Sequence, residues 1–328
     1  MIDSPHETEA QLDLMTRAAV LYHLEGATQA QVALRLGISR VKAGRLIRQA
    51  REQGIVEITV HAPPAITERL ETALARRFNL RHVLLGADHS DEAIQREFVA
   101  RRVAEYLLRS LRSGMVVAVG MGRNVGGVAA AIRQAPAREC TFVAAIGGSP
   151  TAAPSVDAAE TARKLADRFG GAGVCLFAPA YAESAAVRQA LLGHDDVRRT
   201  LELAASAGVA VVGIGDAEDD SAVVRMGCFS AADMARMRAA GAVGDILGSF
   251  HDLAGRPVAA GMRDRVISLA ADDLRRIPCV VGVASDPGKA RAILGALRSG
   301  ILNVLATSVA NARDVLRLDE IGEGETVE

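Results

Sequence analysis

Gly114–Ile132, GMVVAVGMGRNVGGVAAAI, holds the residues best placed to do chemistry. Met115–Val119 is a valine-rich apolar run, long enough for a buried strand and too short for a helix. Gly120-Met121-Gly122 follows, and glycine lets a chain turn sharply and bring bare backbone close to a ligand. Asn124 stands where a helix N-cap would, and Val125–Ile132 reads as the first turns of that helix. Strand, glycine turn and helix start together aim free N–H groups and the positive end of a helix dipole at an anion, and Arg123 adds a guanidinium. The chemistry is that of a phosphate cradle. The match to the dinucleotide fingerprint is only G-x-G, with no acidic residue at the usual distance. An ordinary tight strand-to-helix turn is the alternative.

A second chemistry is carried by charge. Arg35–Arg51 contains six basic residues (Arg35, Arg40, Lys42, Arg45, Arg48, Arg51) and no acid, in a chain of formal net charge −1. A local basic stripe in a near-neutral chain points to one anionic partner at one place. The elements that position it are legible. Leu12–Leu24 has helical spacing after a tail expected over residues 1–10. Thr28-Gln29-Ala30-Gln31 is a capping box opening a short helix that Gly37 ends. Ser39 is an N-cap for a third helix over Arg40–Gln53, with Ala43, Leu46, Ile47 and Ala50 facing inward. Gly54 closes it, and Ile55–Val60 reads as a strand or wing. Three helices with a tight turn between the last two make a helix-turn-helix. Arg40, Lys42, Arg45 and Arg48 then face phosphates and base edges of double-stranded operator DNA, with Thr28, Gln29 and Ser39 at the helix starts. A small structural bundle with a solvated basic face is the alternative.

Composition narrows the remaining classes. The 328 residues are 50% hydrophobic and 23% charged, which suits one large or two ordinary domains with a sizeable core. No apolar run reaches the roughly 18 residues a bilayer span requires, and the acidic N-terminus shows no signal peptide, so a cytoplasmic protein without membrane contact is expected. Cys140, Cys175, Cys228 and Cys279 are far apart and sit in or beside apolar runs. They read as reduced core residues, and no metal or cofactor is expected. Aromatics at 3% and the absence of tryptophan argue against a stacking platform for single strands.

His61-Ala62-Pro63-Pro64 breaks the chain, and the amphipathic stretch Ile66–Phe78 reads as a linker helix or a dimer seam. From Arg81 onward the pattern alternates. Strands are expected at His82–Leu85, Met115–Val119, Thr141–Ile146, Val174–Phe177, Val209–Ile214, Val280–Ala284 and Leu302–Ala306. Helices are expected at Asp91–Leu111, Asn124–Gln134, Asp157–Phe169, Ser184–Leu192, Asp195–Ala205, Leu269–Arg276, Pro287–Arg298 and Ser308–Leu316. The fold class is α/β, a mostly parallel, Rossmann-like sheet with helices on both faces, preceded by the helix-turn-helix. The domain layout is 1–62, a linker helix over 63–80, an effector domain over 81–320 and an acidic tail over 321–328. Strand ends carrying Gly120-Met121-Gly122, Gly147-Gly148 and Gly213-Ile214-Gly215 suggest a pocket floored by backbone amides.

With Arg17–Arg40, Ala50–Ile58, Val119–Asn124 (VGMGRN), Ile146–Pro150 (IGGSP), Val211–Gly215 (VVGIG), Gly244–Val258 (GDILGSFHDLAGRPV) and Gly282–Ser308 in order, the chain resembles the SorC family of bacterial transcriptional regulators over nearly its whole length. The resemblance implies an N-terminal DNA-binding domain and an effector domain with the fold of sugar-phosphate isomerases and glucosamine-6-phosphate deaminases. It also implies oligomers of two or four subunits and a sugar, polyol or sugar-phosphate effector. Carried over by residue, it places the phosphate loop on Gly120, Gly122, Arg123 and Asn124, where threonine is usual at the last position. It places a second loop on Gly147 and Gly148, polar or acidic effector contacts on Asp157, Asp245 and Asp252, and a phosphate-reaching lysine on Lys289. Gly213 and Gly215 close a further strand of the same edge. A surface lysine is the alternative at Lys289, one of three lysines in the chain. Two departures stand out: Thr307-Ser308-Val309 replaces a T-D-E segment, and in the recognition helix Ala43 and Gly44 replace a bulkier apolar residue and a polar one.

An isomerase- or deaminase-like enzyme is the rival reading, because such enzymes share the implied fold. They need acid/base groups around a sugar carbon. Gly213–Asp220 has carboxylates but no histidine, His194 and His251 lack partners at a telling spacing, and Ile146–Pro150 has no lysine for a Schiff base. A regulator of carbohydrate or polyol catabolism is the expectation.

Overall fold

The computed structural model describes residues 5–56, 58, 64–133, 135–149, 153, 156–258 and 261–324. The chain divides into two compact units, Met1–Val60 and His61–Glu328.

In the first unit, helix α1 (Pro5–Ala19) continues through a π-helical turn over Val20–Leu24, so the helix starts well before Leu12 and takes in most of the expected tail. Helices α2 (Gln29–Leu36) and α3 (Arg40–Glu52) follow. The capping box forms in full: the Thr28 hydroxyl accepts from the Gln31 amide at 3.3 Å, and Gln31 Oε1 accepts from the Thr28 amide at 2.8 Å. Gly37 caps α2 in the left-handed region, and Ser39 Oγ accepts from the Lys42 amide at 3.2 Å to open α3. Met15, Ala18, Val32, Ala43, Leu46, Ile47 and Ala50 close one small core. Ile55 and Val56 form a bend against this core rather than a strand, and residues 57, 59 and 60 of the expected wing lie outside the described residues.

The second unit runs α4 (Pro64–Arg77), β1 (His82–Gly86), α5 (Glu92–Ser110), β2 (Val116–Val119), α6 (Arg123–Ala131), β3 (Thr141–Ala144), α7 (Ala158–Phe169), β4 (Ala172–Val174), α8 (Ala185–Leu192) and α9 (Asp195–Ala205). It continues with β5 (Val209–Gly213), β6 (Gly215–Asp216), α10 (Ala222–Arg225), α11 (Ala231–Ala239), β7 (Ala242–Ile246) and β8 (Ser249–Asp252). It ends with α12 (Ala271–Arg276), β9 (Cys279–Ala284), α13 (Ala290–Arg298), β10 (Val304–Ser308) and α14 (Val309–Gly324). Seven strands form one parallel sheet in the order β1-β10-β9-β5-β2-β3-β4. Alternate strand residues feed two cores. Val117, Val119, Val209, Val211 and Val281 point to the face covered by α5, α6 and α7. Ala118, Ala210, Val212 and Val280 point to the face holding side chains of α4, α9, α12, α13 and α14. This is the period-two signature of a sheet buried on both sides.

Three expectations change. The fourth strand lies at Ala172–Val174, paired to Thr141–Val143, rather than at Val174–Phe177, and Phe177 is left 84% exposed. A second, three-stranded antiparallel sheet of β6, β7 and β8 joins the parallel one. Its short strands, broken by Gly244 and Asp245, carry too little apolar alternation to read as strands. The helix over Pro64–Arg77 packs on β1 and α14, with Leu74 buried and Arg77 paired to Asp319, and α14 extends into the segment expected as a tail.

Gly44 lies within α3 at ordinary helical φ, and a Cβ there would meet only the Gln29 side chain, at 3.4 Å or more. Gly44→Ala should therefore stabilise α3 by about 0.5–1 kcal/mol. Hydrogen exchange of the α3 amides that open with the first unit should slow by about two- to five-fold, and unchanged or faster exchange would contradict it.

Candidate functional site

The strand order reverses between β2 and β5. From β2 the chain proceeds outward to β3 and β4, then returns to β5 on the other side of β2 and moves the opposite way to β9 and β10. Such a reversal opens a crevice beyond the carboxyl ends of the two strands. The cleft there is lined by Met121–Asn124 after β2, Gly213–Gly215 after β5, and Asp286 and Lys289 after β9. Leu247 and Gly248 line it from the β7–β8 turn, Tyr181 from a loop, and Ala222, Val223, Arg225 and Met226 from α10 and its end.

Helix α6 opens on this cleft. Gly122, not Asn124, is its N-cap, because the backbone at φ 115°, ψ 161° breaks the helix there and no L side chain adopts that conformation easily. No side chain caps α6, so its first-turn N–H groups, which a helix cannot satisfy itself, face the cleft mouth. Asn124 is buried one residue inside α6. Its Nδ2 donates to Asp286 at 3.3 Å, and its Oδ1 accepts from Ser285 Oγ at 2.5 Å. Other amides expected on the pocket floor are spent within the fold. Gly120 donates to Val211 at 2.9 Å, Gly122 to Val156 at 2.8 Å, Gly147 to Ile267 at 3.0 Å and Gly148 to Ala178 at 2.9 Å.

Helix α13 opens on the same cleft from the other face of the sheet, with Lys289 at its N-cap position. The Lys289 ammonium is buried and pairs with Asp216 of β6. Burial alone would push the Asp216 carboxyl up, but Lys289 outweighs it and holds the group below its ordinary value. Asp286 plays the matching part on the α6 side, 3.2 Å from the Arg96 guanidinium and 3.8 Å from that of Arg123.

Asp245 is the most buried charged residue of the cleft lining. Burial pushes its carboxyl up to about 6, against the Gly248 N–H it accepts at 2.8 Å and the nearby Lys289, while Asp216 adds to the rise. A Cβ on Gly215 would fall 1.9 Å from Asp245 Oδ1, so only glycine lets β6 lie against this carboxylate. Leu247 and Gly248 have φ of 50° and 76°, the two positive values of a two-residue hairpin turn. Leucine is uncommon there, and its side chain lines the cleft. The Tyr181 hydroxyl is buried and has no partner among the described residues.

The cleft thus gathers Gly122, Arg123, Asn124, Gly213, Gly215, Asp245 and Lys289. Gly120, Gly147, Gly148, Asp157 and Asp252 lie outside its lining: Asp157 caps α7 by accepting from Glu160, and Asp252 holds Arg256 at 2.9 Å. His251 is buried against the Ala292 carbonyl at 3.0 Å, away from the cleft, and burial lowers its pKa. The sequence pattern does not mark Tyr181, Leu247, Gly248, Arg225 or Asp286. Of these only Gly248, three residues beyond Asp245, gives a local sign of a tight turn. In the first unit, Arg40, Lys42, Arg45 and Arg48 are all exposed on α3, and Gln29 opens α2 beside Gly44.

A helix pair with an exposed basic face, joined in one chain to a switch-point cleft suited to a small polar ligand, describes a ligand-responsive regulator. Residues 63–317 match the family model described as "Putative sugar-binding domain". The "Transcriptional regulator LsrR" of Enterobacter sp. (strain 638) is 31% identical over 314 residues, 93% of each chain. The "Erythritol catabolism regulatory protein EryD" of Brucella abortus (strain 2308) is 27% identical over 312 residues, covering 94% of this chain and 98% of that protein. The full-length sorbitol operon regulator SorC from Klebsiella pneumoniae superposes with a TM-score of 0.71 at 27% identity, over 94% of this chain and 99% of that one. The chain belongs to the SorC-type family of sugar-binding transcriptional regulators. It is a regulator rather than a sugar-phosphate isomerase or deaminase. Among the described residues no helix is long and apolar enough to cross a membrane.

The raised pKa of Asp245 has a measurable sign. The folded state holds this proton more tightly than the unfolded chain, so the stabilisation is complete below the ordinary value of 3.8 and is lost as pH rises through about 6. Asp245→Asn should match the wild type near pH 4 and exceed it at pH 7 by up to roughly 3 kcal/mol in urea unfolding. Parallel stability curves for the two proteins across that range would contradict the assignment.

Proposed function

We propose that the first unit binds operator DNA through α3 and that the second takes a phosphorylated sugar or polyol in the switch-point cleft, the ligand controlling DNA binding. The observation that carries the effector reading is the convergence of two helix N-termini, α6 and α13, on one cleft that also holds Arg123 and Lys289. The phosphate lies at Arg123 and Asn124, where their amides and the Arg123 guanidinium give charge-assisted bonds and the helix terminus adds about 0.3–1 kcal/mol. The Tyr181 hydroxyl and Asp245 meet sugar hydroxyls. The erythritol and sorbitol in the names of two relatives favour a polyol or sugar skeleton. The cleft encloses about 70 Å³, well under the roughly 300 Å³ or more of a site that engulfs a small organic ligand. The cleft must therefore widen to take the ligand. A cytoplasmic dimer or tetramer pairs two α3 helices on a pseudo-palindromic site. The ligand shifts DNA affinity only by the difference in its own affinity for the two arrangements.

Calorimetry with a panel of pentitol and hexitol phosphates, each beside its dephosphorylated form, tests the effector half. Arg123→Ala and Lys289→Met should each weaken the best phosphorylated ligand by about ten-fold or more while ligand-free DNA binding persists. Equal binding of the dephosphorylated form, with no loss in either variant, would move the ligand to a neutral sugar.

The DNA half is tested with a duplex selected from a random library by the full chain. Arg45→Ala should weaken binding by roughly 1–3 kcal/mol if it reads a base, or reduce the salt slope by about 1 if it holds a phosphate. Unchanged affinity and slope would show a solvated face.

A further inference from the structure

Val41 is 84% exposed, although it lies in the first full turn of α3 on a face that is otherwise basic until Glu52 at its C-terminal end. Exposed apolar side chains scattered singly are ordinary. What distinguishes Val41 is its place. Ala43, Leu46, Ile47 and Ala50 define the buried side of α3. At 3.6 residues per turn the centre of that side lies about 170° round the helix from Val41. Val41 therefore projects along the line that reaches furthest from the core. Arg45 and Arg48 stand four and seven residues on, along the same ridge, while Arg40 and Lys42 flank it on either side, and all four are exposed. A β-branched residue gains nothing from an exposed helical position, where its rotamers are restricted.

A helix entering the major groove presents its N-terminal residues to base edges, and the ridge opposite its core goes deepest. The one apolar group on any base edge in that groove is the C5 methyl of thymine. We propose that Val41 is a specificity-determining residue that packs its methyl groups on a thymine C5 methyl. Arg45 and Arg48 continue the ridge along the groove, and Arg40 and Lys42 reach the phosphates on its two walls. The proposal rests on the DNA-binding reading above and adds to it a preference at one base pair that guanidinium and ammonium groups do not supply.

The test uses the full chain and the duplex it selects from a random library. Each thymine in the protected region is replaced in turn by deoxyuridine, which keeps every hydrogen-bonding group and removes only the methyl. One replacement per half-site should weaken wild-type binding about three- to ten-fold, the loss of one buried methyl. Val41→Ser, a change at an exposed position that leaves the core intact, should bind the thymine and deoxyuridine duplexes equally at that position. Circular dichroism checks that the variant is folded, and Val41→Ala repeats the measurement with the helix propensity raised. If every replacement changes wild-type and variant binding by the same factor, Val41 does not read thymine, even though DNA binding stands. If no duplex is enriched, the DNA-binding reading fails and this proposal fails with it.

Discussion

A parallel sheet whose strand order reverses must open somewhere, and in this molecule it opens between β2 and β5. Every strand points its carboxyl end the same way, so the loops after β2, β5 and β9 share one edge. Helix α6 packs on one face and α13 on the other, yet both begin at that edge. Two positive dipole ends therefore meet across one crevice without any long-range device. The small sheet β6–β8 supplies a further wall beside Tyr181 and α10, and its tight turn places Leu247 and Gly248 in the lining.

Electrostatics inside that crevice follow from the cost of burying charge. An isolated buried ammonium or guanidinium would be expensive there, so Lys289 is held by Asp216 and Arg96 by Asp286, which also accepts from Asn124 and stands 3.8 Å from the more exposed Arg123. The cations are positioned by partners that an anionic ligand must join or displace. Asp245, with no ion pair among the described residues, answers the same cost by keeping its proton more readily. Its placement depends on Gly215 and Gly248, one allowing close approach and the other supplying the N–H it accepts.

The first unit is built on shorter-range physics. Its capping box, left-handed Gly37 and Ser39 N-cap are contacts among residues three to five apart, and all form as their spacing implies. The exposed face of α3 then follows from helical periodicity, since four buried positions leave Arg40, Lys42, Arg45 and Arg48 outward.

The sequence by itself determined what local interactions decide: the two helix starts, the seven apolar strands to within a few residues, and the glycine turn at Gly120-Met121-Gly122. Fold class and family resemblance were legible for the same reason, because periodicity and turn chemistry act over short separations. Only the tertiary structure decided the strand order, and with it which strand ends meet. That is why Gly122, Arg123, Asp245 and Lys289 share a cleft while Gly147, Gly148, Asp157 and Asp252 do not. Whether an amide is free depends on a partner far along the chain, as when Gly147 donates to Ile267. Tyr181, Leu247 and Asp286 become site residues through contacts that sequence separation hides. The Asn124 side chain, expected to cap its own helix, instead crosses to Ser285 and Asp286, more than 160 residues away, because β9 brings them within hydrogen-bonding reach.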